Sequence, residues 1–322
     1  MSDLVPFVSV IVPTHNRRDS LVACLKGLLA QDYPSSRYEI HVVHNWSDDD
    51  TETAVADIAA NASVTIRYTK RNGRGPAPSR HFGAELAKGT FLAFVDDDCV
   101  PQPGWLQGGV GEFTGKVGFV QGATYPNPTH KRRLFEKTVH IPQPSPWFET
   151  CNIFYRKEAF DAVEGFAGPF GDLFYGEDTD LGRRVLAAGY TAGFAPDAVV
   201  YHDITAQPLR RWLMECWHLR HIPLLVNRWP ELRDTLFLGV FLSRQSAAFD
   251  LGLLGLVAVP FIGAWGLLTF VPFFFVRLFE PGRYRNPVVV ALRAAFGLPR
   301  SVVTFAALVA GSVRNGAGGV VL

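Results

Sequence analysis

The sequence places carboxylates at two positions where an apolar core does not favour them. Asp96, Asp97 and Asp98 follow directly on the apolar run Phe91–Val95 (FLAFV). Adjacent carboxylates repel one another and resist burial, so an opposing charge is expected beside them. A divalent cation, Mn²⁺ or Mg²⁺, meets that need. Such ions prefer hard oxygen ligands and usually share their coordination with phosphate. Asp96 and Asp98 alternate along an extended chain, so both can face one side; a solvated turn is the competing reading. The second position is Gly176-Glu177-Asp178-Thr179-Asp180, at the start of a helical stretch that Gly189 stops. Carboxylates there suit a helix N-terminus as caps. The same placement would also let a rigidly held carboxylate, Asp178 with Glu177 beside it, take the proton of an attacking hydroxyl.

Both groups need rigid elements behind them, and the chain supplies an alternation of strand and helix signals. Phe7–Val12 (FVSVIV), closed by Pro13, predicts a buried strand. Asp19–Ala30 has apolar residues at helical spacing, with Asp19 or Ser20 as N-cap. Tyr38–Val43 predicts a second strand, Thr51–Ala60 a helix, Val64–Tyr68 a third strand, and Pro78–Lys88 a helix stopped by Gly89. Phe91–Val95 is the fourth strand. This order predicts an α/β fold whose mainly parallel sheet carries helices on both faces. Ligands then bind beyond the carboxyl ends of the strands, at the loops Pro13–Arg17, His44–Asp50, Lys70–Arg80 and Asp96–Cys99.

Composition limits the partners. The 322 residues hold 31 Lys plus Arg and 30 Asp plus Glu, a formal charge of +1, which argues against nucleic acid. Four scattered cysteines form neither a zinc spacing nor a disulfide framework, so a reducing compartment is expected. Hydrophobic residues make up 48% and mean hydropathy is +0.10, high for a soluble domain. The excess lies late in the chain. Leu251–Val276 is a charge-free run of 26 residues, more than the roughly 20 that cross a bilayer as a helix. Pro260 and Pro272 interrupt it. Arg228, Arg233 and Arg244 precede it, and Arg277, Arg283, Arg285, Arg293 and Arg300 follow. Positive charge on both sides fits a hairpin that dips in and returns, or helices in the headgroup layer, better than one crossing. Arg293 and Arg300, seven apart, share one helix face, as an interfacial helix requires. Residues 1–12 carry no basic segment of a signal peptide, so the N-terminal domain is expected on the cytoplasmic side of a cell membrane.

Together these segments resemble family 2 glycosyltransferases of GT-A fold, over roughly Val8–His202. VSVIVPTHNR (Val8–Arg17) is similar to the family's opening strand and nucleotide loop. Gln31-Asp32-Tyr33-Pro34 before Tyr38-Glu39-Ile40 is similar to its approach to the second strand. Arg71–Asp98 resembles the glycine-containing loop, the Arg-bearing helix and the Asp-x-Asp strand end. Cys151–Arg156, then Gly165-Phe166, then Gly176-Glu177-Asp178 follow the family's order in the acceptor half.

The resemblance implies an inverting, metal-dependent transfer of a sugar from a nucleoside-diphosphate donor to a hydroxyl. In it Pro13, Thr14 and Asn16 line the nucleotide. Arg80 lies near the diphosphate, and Asp96 and Asp97 on the donor side. Asp98, Asp96 and His202 hold the metal, and Asp178, with Glu177, supplies the base. His44-Asn45-Trp46-Ser47 stands where the family usually has Asp-Asp-Gly-Ser. Asn45 keeps a base contact and Trp46 could stack on the base or simply pack, so the usual expectation of a UDP sugar is weakened and GDP and dTDP sugars stay open. Gln207–Trp212 departs by one residue from the Gln-x-x-Arg-Trp motif of processive synthases. The expected division is a GT-A catalytic domain over 1–205, a basic aromatic connector over 206–235, and a membrane-associated helical region over 236–322. The expected acceptor is a lipid-linked or cell-envelope glycan, and the expected class a bacterial-type member. A catalytically silent nucleotide-sugar binder or membrane scaffold is the alternative. A nucleotidyltransferase would want a glycine in the Pro13–Arg17 loop.

Overall fold

Every residue of Val8–Thr14 is buried, and the same holds for Phe91–Val95. Strands this apolar must be covered on both faces. A computed structural model of the chain describes residues 5–45, 48–71, 75–168, 170, 173, 175–279, 286–315 and 322. Trp46, Arg283 and Arg285 lie outside them. The described residues divide into two units. One holds Met1–His130 with Thr138–Ile204; the other holds Lys131–Lys137 with Thr205–Leu322.

The strands are, in chain order, β1 (Val8–Thr14), β2 (Tyr38–Asn45), β3 (Thr65–Arg71), β4 (Phe91–Val95), β5 (Cys99–Pro101), β6 (Val117–Pro126), β7 (Glu136–Lys137), β8 (Asn152–Arg156), β9 (Thr191–His202) and β10 (Thr205–Ala206). In the first unit they form one sheet, ordered β3-β2-β1-β4-β8-β6-β9-β5. The half β3-β2-β1-β4 is parallel, as the alternation predicts. Beyond β4 the sheet is mixed: β8 runs antiparallel to β4 and β6, β9 parallel to β6, and β5 antiparallel to β9.

Helices α1 (Arg18–Leu29), α2 (Thr51–Ala60), α3 (Pro76–Leu86), α4 (Trp105–Gly111), α5 (Lys157–Ala162) and α6 (Glu177–Ala187) cover this sheet. Strand alternation sorts the core into two layers. Val8, Val10, Val12, Ala93 and Val95 pack with Leu21, Leu25, Leu28, Trp105 and Leu106. Ile11, Leu92 and Phe94 pack on the opposite face with Phe119, Phe160, Leu181 and Val185. Each such side chain contributes about 1.5–3 kcal/mol of burial.

Several boundaries differ from the sequence reading. β1 runs on through Pro13 to Thr14, β2 runs on to Asn45, and α3 ends at Leu86, three residues before Gly89. Arg17, not Asp19 or Ser20, is the N-cap of α1. α3 begins at Pro76, because Gly75 before it holds φ 87 and a proline fits the first helical turn. β3 begins one residue late and runs on to Arg71.

In the second unit β7 pairs with β10. Helices α7 (Leu209–Met214), α8 (Ile222–Arg228), α9 (Arg244–Ile262), α10 (Val271–Leu278) and α11 (Pro287–Arg314) follow, with a 3₁₀ segment at Gly263–Phe270. The charge-free run is a helical hairpin. Gly263 (φ 64) reverses the chain after α9, and the 3₁₀ segment packs back along that helix. Small residues bring the arms together: a Cβ on Gly255 would run into the Thr269 hydroxyl and the Gly266 carbonyl, and one on Gly252 into the Phe270 ring. Pro272 lies in the first turn of α10, where proline is tolerated; Pro260 lies inside α9, two residues before its end, and removes one helical N–H donor there.

Arg293 and Arg300 of α11 do not form an outward basic face. Arg293 Nη1 donates to the Leu134 carbonyl at 2.9 Å. Arg300 donates to the Trp212 carbonyl at 3.1 Å and stacks 4.2 Å above the Trp212 ring. Carbonyl acceptors and an aromatic face inside the unit satisfy the cations there.

The tight arm contact gives a test. Gly255→Val should destabilise the chain by about 1–3 kcal/mol through overpacking. Leu254→Ala, at an exposed neighbour, should leave the thermal midpoint in detergent unchanged.

Candidate active site

The carboxyl ends of β1, β2 and β4 lie at the same edge of the sheet, since Thr14 stands beside His44 and Ile11 beside Phe94 in parallel register. Pro13, Thr14, Asn16, Asn45 and Asp96–Asp98 therefore gather at that edge. Buried β4 sends its three aspartates straight out of the core, and two arginines divide them.

Asp96 Oδ1 accepts from Arg80 Nη2 at 2.6 Å. Asp97 accepts from the Thr14 hydroxyl at 2.8 Å and from Arg17 Nη1 at 3.0 Å. Asp98 Oδ2 accepts from the same Arg17 nitrogen at 2.6 Å. Asp98 Oδ1 is buried and has no hydrogen-bond partner among the described residues; His202 Nε2 stands 3.6 Å from it. Asp98, Cys99 and His202 each bring one potential ligand atom within 4.8 Å of the others. Antiparallel pairing of β5 with β9 places Cys99 opposite His202.

Arg80 is the centre of the acidic site. It lies on α3 with 5% of its side chain exposed. Besides Asp96, its Nη1 stands 3.7 Å from Asp178 Oδ1 and 3.8 Å from Glu177 Oε1. One guanidinium thus touches the strand-end carboxylate and both carboxylates at the start of α6. Burial alone would lower the Arg80 pKa, but the charges of Asp96, Asp178 and Glu177 raise it. Burial would raise the Asp96 pKa; Arg80 holds it below the usual carboxylate range.

Asp178 is fixed by two donors from one residue: the Thr150 backbone N–H to Oδ2 at 3.0 Å and its hydroxyl to Oδ1 at 2.8 Å. Burial raises the Asp178 pKa against the pull of Arg80 and Thr150. Gly176, at φ 100, turns the chain into α6 and leaves Glu177 buried. Burial first, and the Asp178 charge second, push Glu177 up to about 8. Burial and the neighbouring Asp98 push Asp97 up to about 7.

The remaining positions form the rim. Asn16 adopts φ 51, which asparagine tolerates, and its Oδ1 accepts from the Asp48 N–H at 2.9 Å. Asn45 donates to the Gly75 carbonyl at 3.2 Å and so ties β2 to the start of α3. Arg80 faces the carboxylates instead of standing open to a diphosphate. The cation at the mouth is Arg17, with 44% of its side chain exposed. The sequence reading quoted Arg17 as the end of the first motif but gave it no role, and it did not single out Thr150, next to Cys151. Their signal was position alone: one at the end of the first strand loop, one at the start of β8.

Comparisons with known proteins bear on the family and the fold. The family model described as Glycosyl transferase family 2 matches residues 9–174, half of the chain. Glycosyltransferase AglE of Haloferax volcanii is 31% identical over 63% of this chain and 68% of its own length. A pre-mycofactocin glycosyltransferase of Mycobacterium tuberculosis is 26% identical over 64% of this chain, which spans 44% of that relative. Among solved structures, the mannosyltransferase PcManGT from Pyrobaculum calidifontis, in complex with GDP-Man and Mn²⁺, shares the fold. Its TM-score is 0.59 at 20% identity, over 97% of this chain and 88% of that one.

Two outcomes follow for stability. Arg80→Met leaves Glu177, which is buried, and Asp96 and Asp178, which are partly buried, without their cation and should cost about 3–5 kcal/mol in urea denaturation. Glu177, raised on folding, takes up a proton in the native state. Its contribution is full below about 4.5 and is lost as pH rises towards about 8. Glu177→Gln should therefore flatten the fall in thermal midpoint between pH 5 and pH 8.5.

Proposed function

The chain belongs to the family 2 glycosyltransferases, and from that premise we propose that it moves a sugar from a nucleoside-diphosphate donor to a hydroxyl acceptor, with inversion, using Asp178 as proton acceptor. The observation that carries this reading is Arg80, in contact with both Asp96 and Asp178. It holds a donor-side carboxylate and a candidate base around one point.

Asp178 suits the role on two counts. Its raised pKa strengthens it as a base, and Thr150 keeps its oxygens in one orientation. The acceptor hydroxyl attacks the anomeric carbon, its proton passes to Asp178, and the bond to the diphosphate oxygen breaks. Arg17, exposed beside Asp97 and Asp98, offers a cation to the diphosphate. Arg80 keeps Asp96, Glu177 and Asp178 together.

The residues fit a divalent metal. Asp98 Oδ1 is buried and unpartnered, with an imidazole nitrogen 3.6 Å away, and a carboxylate with an imidazole forms a competent Mn²⁺ or Mg²⁺ donor set. Asp98 and His202 would hold the ion, with Asp96 as the further carboxylate of the strand end. Cys99 is a poor third ligand, since burial keeps its thiol protonated. When bound, the ion offsets the charge that develops on the departing diphosphate.

Thr14, Asn16 and Asn45 stand at the strand ends where a UDP, GDP or dTDP base and ribose would lie. The second unit supports a lipid-linked or cell-envelope acceptor met at the cell membrane, with the first unit on the cytoplasmic side. Its hairpin Arg244–Leu278 and its helix Pro287–Arg314 have the length and apolarity of membrane segments.

Asp178→Asn should keep donor binding by calorimetry with Mn²⁺ while transfer falls by about 10²–10⁴-fold. Near-normal turnover would remove Asp178 from the role. Product configuration by NMR should be inverted, and donor turnover should stop with chelator.

A further inference from the structure

The even charge of the whole chain conceals a division. The second unit carries sixteen Lys and Arg against six Asp and Glu, a net of +10; the first unit is correspondingly −9. The basic unit is also the apolar one. We propose that it is a one-sided membrane anchor: the hairpin of α9 and α10 enters an anionic bilayer from one side, turns back inside it, and no segment crosses. This rests on the membrane reading above, and not on the transfer chemistry.

Depth is the first argument. From the turn, α9 runs twelve residues back to Leu251 before the first ionisable side chain, Asp250, which is about 18 Å of helix. The returning arm stays apolar through the eight-residue 3₁₀ segment, about 16 Å, and on through Val271–Val276, about 9 Å more, to Arg277. Both arms are shorter than the roughly 30 Å hydrocarbon core, so neither reaches the far headgroups.

The turn is the second argument. A hairpin emerging on the far side would present polar residues to water. Here Phe261 is 86% exposed and Trp265 76%, with Ile262 and Ala264 exposed between them. The backbone is equipped for hydrocarbon. The Gly263 N–H bonds the Val259 carbonyl, and the Thr269 hydroxyl donates to the Gly266 carbonyl at 2.7 Å. Leu254, Val257, Leu268 and Val271 continue the apolar surface down both arms.

The base is the third argument. Arg244 and Arg277 lie at the open end of the hairpin, both about 26 Å from the turn. Arg210, Arg211, Arg228 and Arg314 are exposed on the same unit and complement anionic headgroups. The other long apolar helix, α11, stays with this polar part. Arg293 and Arg300 bond the Leu134 and Trp212 carbonyls, and Gly311 packs against the Arg220 backbone. A helix so held cannot cross a bilayer without burying those arginines in lipid.

The four native cysteines are buried, so a single thiol introduced into the full chain can be labelled selectively. A nitroxide on Ala264→Cys, with the protein bound to phosphatidylcholine–phosphatidylglycerol vesicles, should be relaxed by oxygen and shielded from aqueous nickel. A membrane-impermeant maleimide sealed inside the vesicles should leave the Ala264→Cys thiol unmodified. Modification from the lumen means the hairpin crosses, and a label that stays in water means it does not insert; either overturns the proposal. Phe261→Asp with Trp265→Asp removes no packing, and should lower vesicle binding more than tenfold at an unchanged thermal midpoint; unchanged binding also overturns it. Arg210→Gln, Arg211→Gln and Arg244→Gln should each weaken binding to the anionic vesicles by roughly fivefold. Equal binding of the unaltered chain to pure phosphatidylcholine would overturn the anionic preference.

Discussion

The arrangement of the first unit depends on one buried guanidinium. Asp96 leaves the end of β4, while Glu177 and Asp178 open α6, nearly eighty residues later in the chain. Without a cation between them, three carboxylates at such distances would force the strand end and the helix start apart or take up protons. Arg80 reaches them from α3, and their charges offset the cost of burying its own. Each partner makes the burial of the others tolerable, which is why the cluster behaves as a single object.

This explains a division of labour between two arginines. The buried one is occupied with structure and is not presented to a phosphate. The exposed one, Arg17, bridges Asp97 and Asp98 from the loop after β1. A side chain that must meet a ligand has to remain movable, and Arg17 is the one with solvent around it. The unpartnered oxygen of Asp98 lies between this mobile cation and His202. In the proposed reaction, the place where charge arrives and departs is thus set apart from the place where charge is permanently balanced.

The sequence disclosed these features unevenly, for physical reasons. The strand end at Val95 was legible because five apolar residues give way to three charged ones. The parallel half of the sheet followed from the alternation of strand and helix signals. The antiparallel placement of β8 did not, because a strand buried on both faces carries the same apolar pattern whichever way it runs. The sequence reading started α3 at Pro78; the conformation of Gly75 moves the start to Pro76. Seven-residue spacing correctly put Arg293 and Arg300 on one face. It could not tell which way that face looks; the Leu134 and Trp212 carbonyls decide it. Asp178 was legible as a helix-start carboxylate, whereas its clamp, Thr150, came from a distant part of the chain with no pattern of its own.

That clamp has a stereochemical consequence. Because one threonine engages both oxygens of Asp178, the carboxylate cannot rotate about its terminal bond without losing a partner. Its remaining lone pairs point in fixed directions before any sugar arrives. In the proposed transfer, the direction in which a hydroxyl must surrender its proton is then written into the resting protein.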